Sequence, residues 1–309
     1  LQDGDLLFTI AGALGRVAVV PEDFGAANIN QAVALVRLHD SSQGQFLVHG
    51  LRSIETTRQV ARVSAQLAQA NLSLAQLGDL VLLLPPIPEQ RKIAAILTAV
   101  DDAIAATEAV IEQLQVVKKA MMSELLTRGI PGRHTKFKQT EIGEIPEEWE
   151  VRRVGDAGRW LSGGTPSKEE TGYWEGEIPW VSPKDMKRPR INEAIDHVSD
   201  HAIGNGTRLA PIGSILMVVR GMILAHTFPV AITTGPVAFN QDIKALVCAE
   251  DYDPDFMMYW LQASGSQVLS IADVANHGTK RIPTELLFGM SLPTPSIGEQ
   301  REIATMAFA

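Results

Sequence analysis

Between residues 93 and 125 the apolar side chains fall at Ile93, Leu97, Val100, Ile104, Ile111, Leu114, Met121 and Leu125, with Thr107 and Lys118 in the two seam positions between them. Steps of four and three in alternation form the seam of a coiled coil. Pro85, Pro86 and Pro88 close the segment ahead of it, Glu89 sits in the first turn, and Gly129 and Pro131 stop it. From Glu89 to Arg128, at ~1.5 Å per residue, the helix is a rod of roughly 60 Å. A seam of that length requires burial against another helix. Two readings follow: a long core helix of an ordinary domain, or a spacer that holds two parts apart.

The entrance to this helix occurs twice. Pro85-Pro86-Ile87-Pro88-Glu89-Gln90-Arg91-Lys92-Ile93-Ala94 returns as Pro295-Ser296-Ile297-Gly298-Glu299-Gln300-Arg301-Glu302-Ile303-Ala304, an offset of 210 from Glu89 to Glu299. The same offset carries Asn30-Gln31 onto Asn240-Gln241, Phe46 onto Phe256 and Leu51 onto Leu261. With one residue of slip, Gly4 and Gly12 fall on Gly213 and Gly221. Separate stretches agreeing on one offset predict an internal duplication, and the unit is a domain plus a helix, too long for a solenoid. The second copy starts near Trp149, whereas Leu1 maps to about position 210. The first copy is therefore expected to lack roughly its opening 60 residues. Ala309 maps onto Ala99, so the second helix is expected to be cut after about its first three turns.

The chain of 309 residues has room for two domains. It holds no run of 18 uncharged apolar residues, the minimum for a spanning helix. No signal peptide is visible and Cys248 is the single cysteine, so a disulfide framework and a cysteine-based zinc site are excluded. A cytoplasmic protein with no membrane association is the expectation. The net charge of −9 argues against non-specific coating of nucleic acid, while leaving room for a local basic patch.

In order, residues 1–84 read as the C-terminal part of a first domain. Its strands are expected at Leu6–Ile10, Arg16–Val20 and Ala32–Leu38, its helix over Gln45–Ala61, and a short buried run at Leu80–Leu84. Residues 85–130 are the rod, and 131–145 a basic, turn-rich linker. Residues 146–292 form the second domain, with strands at Ser214–Val219 and Asp242–Val247 and a helix over Asp255–Leu269 entered through Asp253 and Pro254. Residues 293–309 open the second helix. The fold class is α/β.

Catalytic patterns are missing. There is no G-x-G-x-x-G after a strand, no G-x-x-x-x-G-K-[ST] and no Asn-Pro-Pro-aromatic stretch. Pro254-Asp255 could open a nuclease carboxylate motif, but no acidic-x-Lys follows, and a helix N-cap accounts for it better. The seven histidines make no metal-ligand spacing. The positive signal is a basic run, Lys184, Lys187, Arg188 and Arg190, diluted by Asp185 and following Trp180. It is a candidate phosphate-contacting or groove-reading loop, or else a solvated surface loop. Arg220, at the end of an apolar strand, and Lys280-Arg281, after His277-Gly278-Thr279, extend the candidates. Asn240 and Gln241 have the chemistry to pair with adenine. Because the pair recurs at Asn30 and Gln31, a turn that bonds its own backbone is an equal alternative.

Taken together the motifs resemble the specificity subunit of type I restriction–modification enzymes. The residues are Pro85-Pro86-x-Pro-Glu89-Gln90-Arg91-x-Ile93-Ala94 with Asp101-Asp102-x-Ile104, the second Glu299-Gln300-Arg301, and Pro146-x-x-Trp149 with Gly155-Asp156. The Gly163-Gly164-Thr165-Pro166-Ser167 loop, Ile178-Pro179-Trp180 and Gly278-Thr279 complete the set. The resemblance implies two α/β target-recognition domains, each reading half of a bipartite site in double-stranded DNA, separated by long conserved helices. It implies docking of methyltransferase subunits, which hold S-adenosylmethionine, and of a restriction subunit using ATP and Mg. The chain itself would carry no cofactor, no metal and no catalytic residue. Half-sites about one duplex turn apart, ~34 Å, fit within the rod. Two alternatives stand beside this. One is a truncated half-site reader that self-associates through the spacer helix and favours a palindromic site; the other is an interaction scaffold with no role on DNA. An enzyme with its own nuclease or methyltransferase site is a further competitor.

Overall fold

The structure, a computed structural model, describes residues 1–40, 43–65, 71–274 and 279–308. Two compact units emerge, Leu1–Gln113 and Leu114–Ala309. In the first, β1 (Leu6–Thr9) lies between β2 (Val17–Val19) and β3 (Val33–Val36), all antiparallel. Leu6 and Phe8 point to one face of β1 and are fully buried, as the two-residue period of a strand requires. They pack with Val48 and Leu51 of α1 (Gly44–Arg52), Val60 of α2 (Ile54–Ser64) and Leu72. The helical spacing over 45–61 becomes two helices because Ser53 is extended (φ −64°, ψ 154°) and its hydroxyl accepts from Thr56 N–H, an N-cap. Ser73 and Gln76 form a capping box that opens α3 (Leu74–Gly78). Asp5 is buried and accepts from both Nε (2.7 Å) and Nη2 (2.6 Å) of Arg37.

The expected rod is one helix, α4 (Ile87–Arg128), of 42 residues. It stops at Gly129, whose φ of +79° is the left-handed conformation glycine adopts without a steric penalty. Its seam is not covered within the described residues. Ile93 is half-buried, while Leu97, Val100, Ile104, Ile111, Leu114 and Met121 are 40%, 51%, 51%, 50%, 60% and 60% exposed; only Leu125, in the core of the second unit, is buried. The run at Leu80–Leu84 also departs from expectation. It is not a strand, and Val81, Leu83 and Leu84 are exposed; the Gln59 side chain bonds the N–H and C=O of Val81, each at 2.9 Å.

In the second unit, the stretch 131–145 read as a linker contains a folded hairpin, β4 (Phe137–Thr140) with β5 (Gly143–Pro146). Apolar residues spaced along it find a core: Ile145 is fully buried, as is Trp149 just beyond. β6 (Glu150–Arg153) pairs antiparallel with the last strand of the chain, Ser291–Thr294. A five-stranded sheet joins, in spatial order, Gly158–Ser162 (β7), Ile243–Cys248 (β16), Ile215–Val218 (β12), Val230–Thr233 (β14) and Arg190–Ile191 (β9). A four-stranded sheet joins Asp196–Val198 (β10), Ile178–Val181 (β8), Val237–Phe239 (β15) and Arg208–Ala210 (β11). A small ribbon joins Arg220–Gly221 (β13), Lys280–Arg281 (β18) and Asp273–Val274 (β17), and Ser291–Thr294 is β19. The helix expected over 255–269 is α5 (Pro254–Ala263) and α6 (Gly265–Ser270); the Asp253 carboxylate accepts from Phe256 N–H at 3.0 Å and Pro254 takes the first turn. α7 (Thr284–Phe288) and α8 (Ile297–Phe308) follow.

The duplication is structural. β12 lies between β14 and β16 as β1 lies between β2 and β3, and α1, α3 and α4 begin at 44, 74 and 87 where α5, α7 and α8 begin at 254, 284 and 297. Even single bonds recur: Gln90 Nε2 donates to Pro85 O (2.8 Å) and Gln300 Nε2 to Pro295 O (2.9 Å). The second copy holds a buried lock. Glu299, 6% exposed, accepts from His134 Nε2 at 2.7 Å and Trp149 Nε1 at 3.1 Å, with the two rings edge to face at 5.9 Å.

Candidate nucleic-acid interface

The basic run follows β8 as a loop pinned from within. Asp185 accepts from Ser182 N–H (2.9 Å), Ser182 Oγ (2.7 Å) and Ile195 N–H (3.1 Å), so its carboxylate holds backbone in place. Its four cations divide into two pairs. Lys184 donates to Asp196 at 2.8 Å and Arg190 to Asp255 at 2.6 Å, anchoring the two ends of the loop. Lys187 and Arg188 between them are exposed and make no ion pair among the described residues. The loop encloses a concavity of about 320 Å³ with Asn192, Glu193 and Ile195.

Beside it opens a cleft of about 770 Å³, lined by Thr165, Trp174, Trp180, Lys184, Asn240 and Gln241 among others. Trp174 and Trp180 meet edge to face at 5.2 Å, and their indole N–H groups donate to Ser167 O (3.1 Å) and Gly164 O (3.0 Å). Backbone contact fixes the Gly163-Gly164 turn: a Cβ at Gly163 would lie 2.0 Å from Asn240 O, and one at Gly164 2.1 Å from Gly206 O. These glycines are there for packing and present Thr165, whose hydroxyl donates to Gln241 Oε1.

Asn240 and Gln241 separate in role. Asn240 is 6% exposed and its Oδ1 accepts from Asp242 N–H at 3.0 Å, as Asn30 Oδ1 accepts from Ala32 N–H at 3.0 Å in the first copy. The Asn240 oxygen holds its own turn, as the backbone-bonding reading expects, and the residue also lines the cleft. Gln241 is exposed at the cleft.

The remaining cations gather on the small ribbon. Arg220 lies directly opposite Arg281, with Asp273 opposite Arg281 on its other side, and Lys280 faces Gly221 and Val274. Both arginines are exposed and Lys280 is half-buried. His277 and Gly278 lie outside the described residues. Lys244 joins this group, although nothing but one Lys in an apolar strand could have signalled it. Its Nζ donates to Ser162 Oγ at 3.1 Å, and burial, then the nearby Arg281, push its ammonium below the usual lysine range against the pull of Glu285. Among the described residues no cluster of His, Cys, Asp and Glu is placed to hold a metal ion, and no helix is long and apolar enough to cross a membrane.

A duplicated α/β unit, each copy leading into a helix, with loops and a ribbon presenting cations on an acidic chain, defines a target-recognition type of protein. The chain belongs to the family described as the type I restriction modification DNA specificity domain, whose model matches residues 1–116 and 146–306. It is similar to the type I restriction enzyme EcoR124I/EcoR124II specificity subunit of Escherichia coli, 36% identical over 54% of this chain and 40% of that protein. It is also similar to the putative type I restriction enzyme MjaX specificity subunit of Methanocaldococcus jannaschii, 28% identical over 97% of this chain and 70% of that one. With the Escherichia coli relative the match spans well under half of the relative's length. A chain from a solved type I restriction–modification system shares the fold at a TM-score of 0.66 and 19% identity, covering 100% of this chain and 74% of that one. The HsdS subunit from Thermoanaerobacter tengcongensis does so at 0.50 and 18%, over 100% and 73%.

Proposed function

We propose that this chain reads DNA sequence for a type I restriction–modification assembly and leaves the chemistry to its partners. The observation that carries this is the pair Lys187 and Arg188, exposed and without ion pairs among the described residues, on a loop braced at both ends in a chain of net charge −9. A protein surface selected only for solubility has no need to brace a cationic loop. In this reading Lys187 and Arg188 meet phosphates, while Gln241 and the ribbon arginines Arg220 and Arg281 are positioned to meet base edges. Methyltransferase subunits, with their S-adenosylmethionine, and a restriction subunit using ATP and Mg would be the docking partners, and the chain would hold no cofactor. The exposed seam of α4 favours a helix as its cover, supplied by another chain or by a second copy of this one.

The test is DNA binding by the assembly with the methyltransferase partner, measured across a salt series. Lys187→Ala and Arg188→Ala are expected to weaken binding equally for all sequences and to lower the slope of log affinity against log salt by about one each. Arg281→Ala is expected to relax one position of the site instead. Unchanged affinity, slope and site in all of these variants would refute the reading.

A further inference from the structure

The small ribbon is fastened to the second unit, yet it leaves a large apolar side chain in water. Ile282, 2% exposed, follows Arg281 into the core, and its N–H donates to Val219 O at 2.9 Å, which ties β18 to the end of β12. Gly221 closes β13 at φ +142° and ψ 164°, a conformation open to glycine and to hardly any other residue. A Cβ there would meet nothing closer than 3.8 Å, so the conformation and not crowding calls for glycine. The chain then enters a short helical turn, Met222–Ala225, that packs against β18. Leu224 is fully buried, and the Ile223 carbonyl accepts from the N–H groups of His226 and Thr227, each at 3.0 Å. The turn is held in place, while Met222 at its start is 73% exposed.

The charges around Met222 define what would cover it. Arg220, two residues back, lies in register with Arg281, and paired residues project from the same face of a ribbon, where like charges repel. Asp273 lies opposite Arg281 on the outer strand, but neither arginine forms an ion pair among the described residues. The charge of Arg281 also reaches Lys244, offset in part by Glu285. Cations with so little compensation favour an anion, and an exposed methionine among them favours an anion that also presents an apolar group. Duplex DNA presents both. Phosphates line its grooves, and each thymine carries a C5-methyl group into the major groove, which is wide enough to admit a ribbon of strands.

We propose, resting on the DNA-reading function above, that Met222 is a specificity-determining residue: its side chain packs on the C5-methyl group of one thymine in the major groove, between the base edges met by Arg220 and Arg281. The recognised sequence then holds a thymine at a fixed place, beside the position that Arg281 reads.

The experiment uses the assembly with the methyltransferase partner. Its site is mapped by sequencing methylated DNA, and each thymine of the site, on either strand, is replaced singly by deoxyuridine, which removes only the methyl group. For wild type, one replacement is expected to weaken binding about fourfold, the worth of one methyl group withdrawn from water. Met222→Ala is expected to bind the natural site more weakly by at least as much and to be indifferent to that same replacement. Met222 is exposed, so this variant leaves the core untouched. A site with no specified thymine overturns the proposal, as does a Met222→Ala assembly that responds to every replacement as wild type does. Binding of the chain to phosphatidylglycerol vesicles that Met222→Ala abolishes would assign the face to a lipid surface and also overturn it. Arg188→Ala in the same series separates the two levels. If it lowers the salt slope while Met222→Ala behaves as wild type, DNA reading stands and the thymine contact alone falls; if neither variant alters binding, both fall.

Discussion

Glu299→Ala isolates the energetics of the buried lock in the second unit. The Glu299 side chain is 6% exposed and accepts from two donors, His134 Nε2 and Trp149 Nε1, both nearly buried themselves. Removing the carboxylate leaves two buried N–H groups without an acceptor, at about 1–3 kcal/mol each, so the expected loss is about 2–6 kcal/mol. Trp149→Phe removes one donor and is expected to cost about 1–3 kcal/mol. The duplication supplies an internal control: Glu89 occupies the same motif position but is exposed, and Glu89→Ala is expected to change stability by no more than about 0.5 kcal/mol. The assay is urea unfolding of the full chain at neutral pH, followed by circular dichroism for the whole chain and by tryptophan fluorescence for the second unit, where all five tryptophans lie, Glu89 being in the first. A loss under about 1 kcal/mol for Glu299→Ala, or equal losses at the two positions, would refute the reasoning.

Other expectations follow from the same geometry. Ile104→Asp, 51% exposed in this chain, is expected to change its own stability by less than about 0.5 kcal/mol, yet to cost several kcal/mol in any assembly that covers the seam; co-purification of the methyltransferase partner, compared with chemical unfolding of the chain alone, checks both halves. Arg37 holds the Asp5 carboxyl down from 3.8 to about 2. Because the folded value is the lower one, its stabilisation is complete above pH 3.8 and disappears as pH falls towards 2. Acid unfolding followed by circular dichroism should therefore show wild type losing its advantage over Asp5→Asn within that window and not above it. Burial, then the Asp253 charge, push the Cys248 thiol up to about 12; it is expected to resist a thiol reagent at pH 8 in the folded chain and to react on unfolding.

The sequence by itself determined the periodic and the repeated features. Alternating apolar steps between Ile93 and Leu125 specify a helix whatever surrounds them, and its limits, Ile87 and Arg128, follow from the prolines ahead of it and Gly129 behind. The 210-residue offset carried the duplication, because two copies of one fold need the same capping and turn residues at the same places. Asp253 as N-cap and two strands of the second copy, those expected at Ser214–Val219 and Asp242–Val247, were legible for the same local reason. What lay beyond local chemistry needed tertiary structure. Identical Glu-Gln-Arg motifs give a buried Glu299 and an exposed Glu89, because burial depends on a segment 150 residues away from Glu299 at Trp149. Lys184 and Arg190 look like Lys187 and Arg188 in the sequence, and only the placement of Asp196 and Asp255 divides anchors from exposed cations. Lys244 lies within reach of the charge of Arg281, and Arg220 lies opposite Arg281, only because the fold brings strands distant in sequence together. Periodicity reports which face of an element is apolar; which other surface meets that face is decided by contacts between residues far apart in the chain.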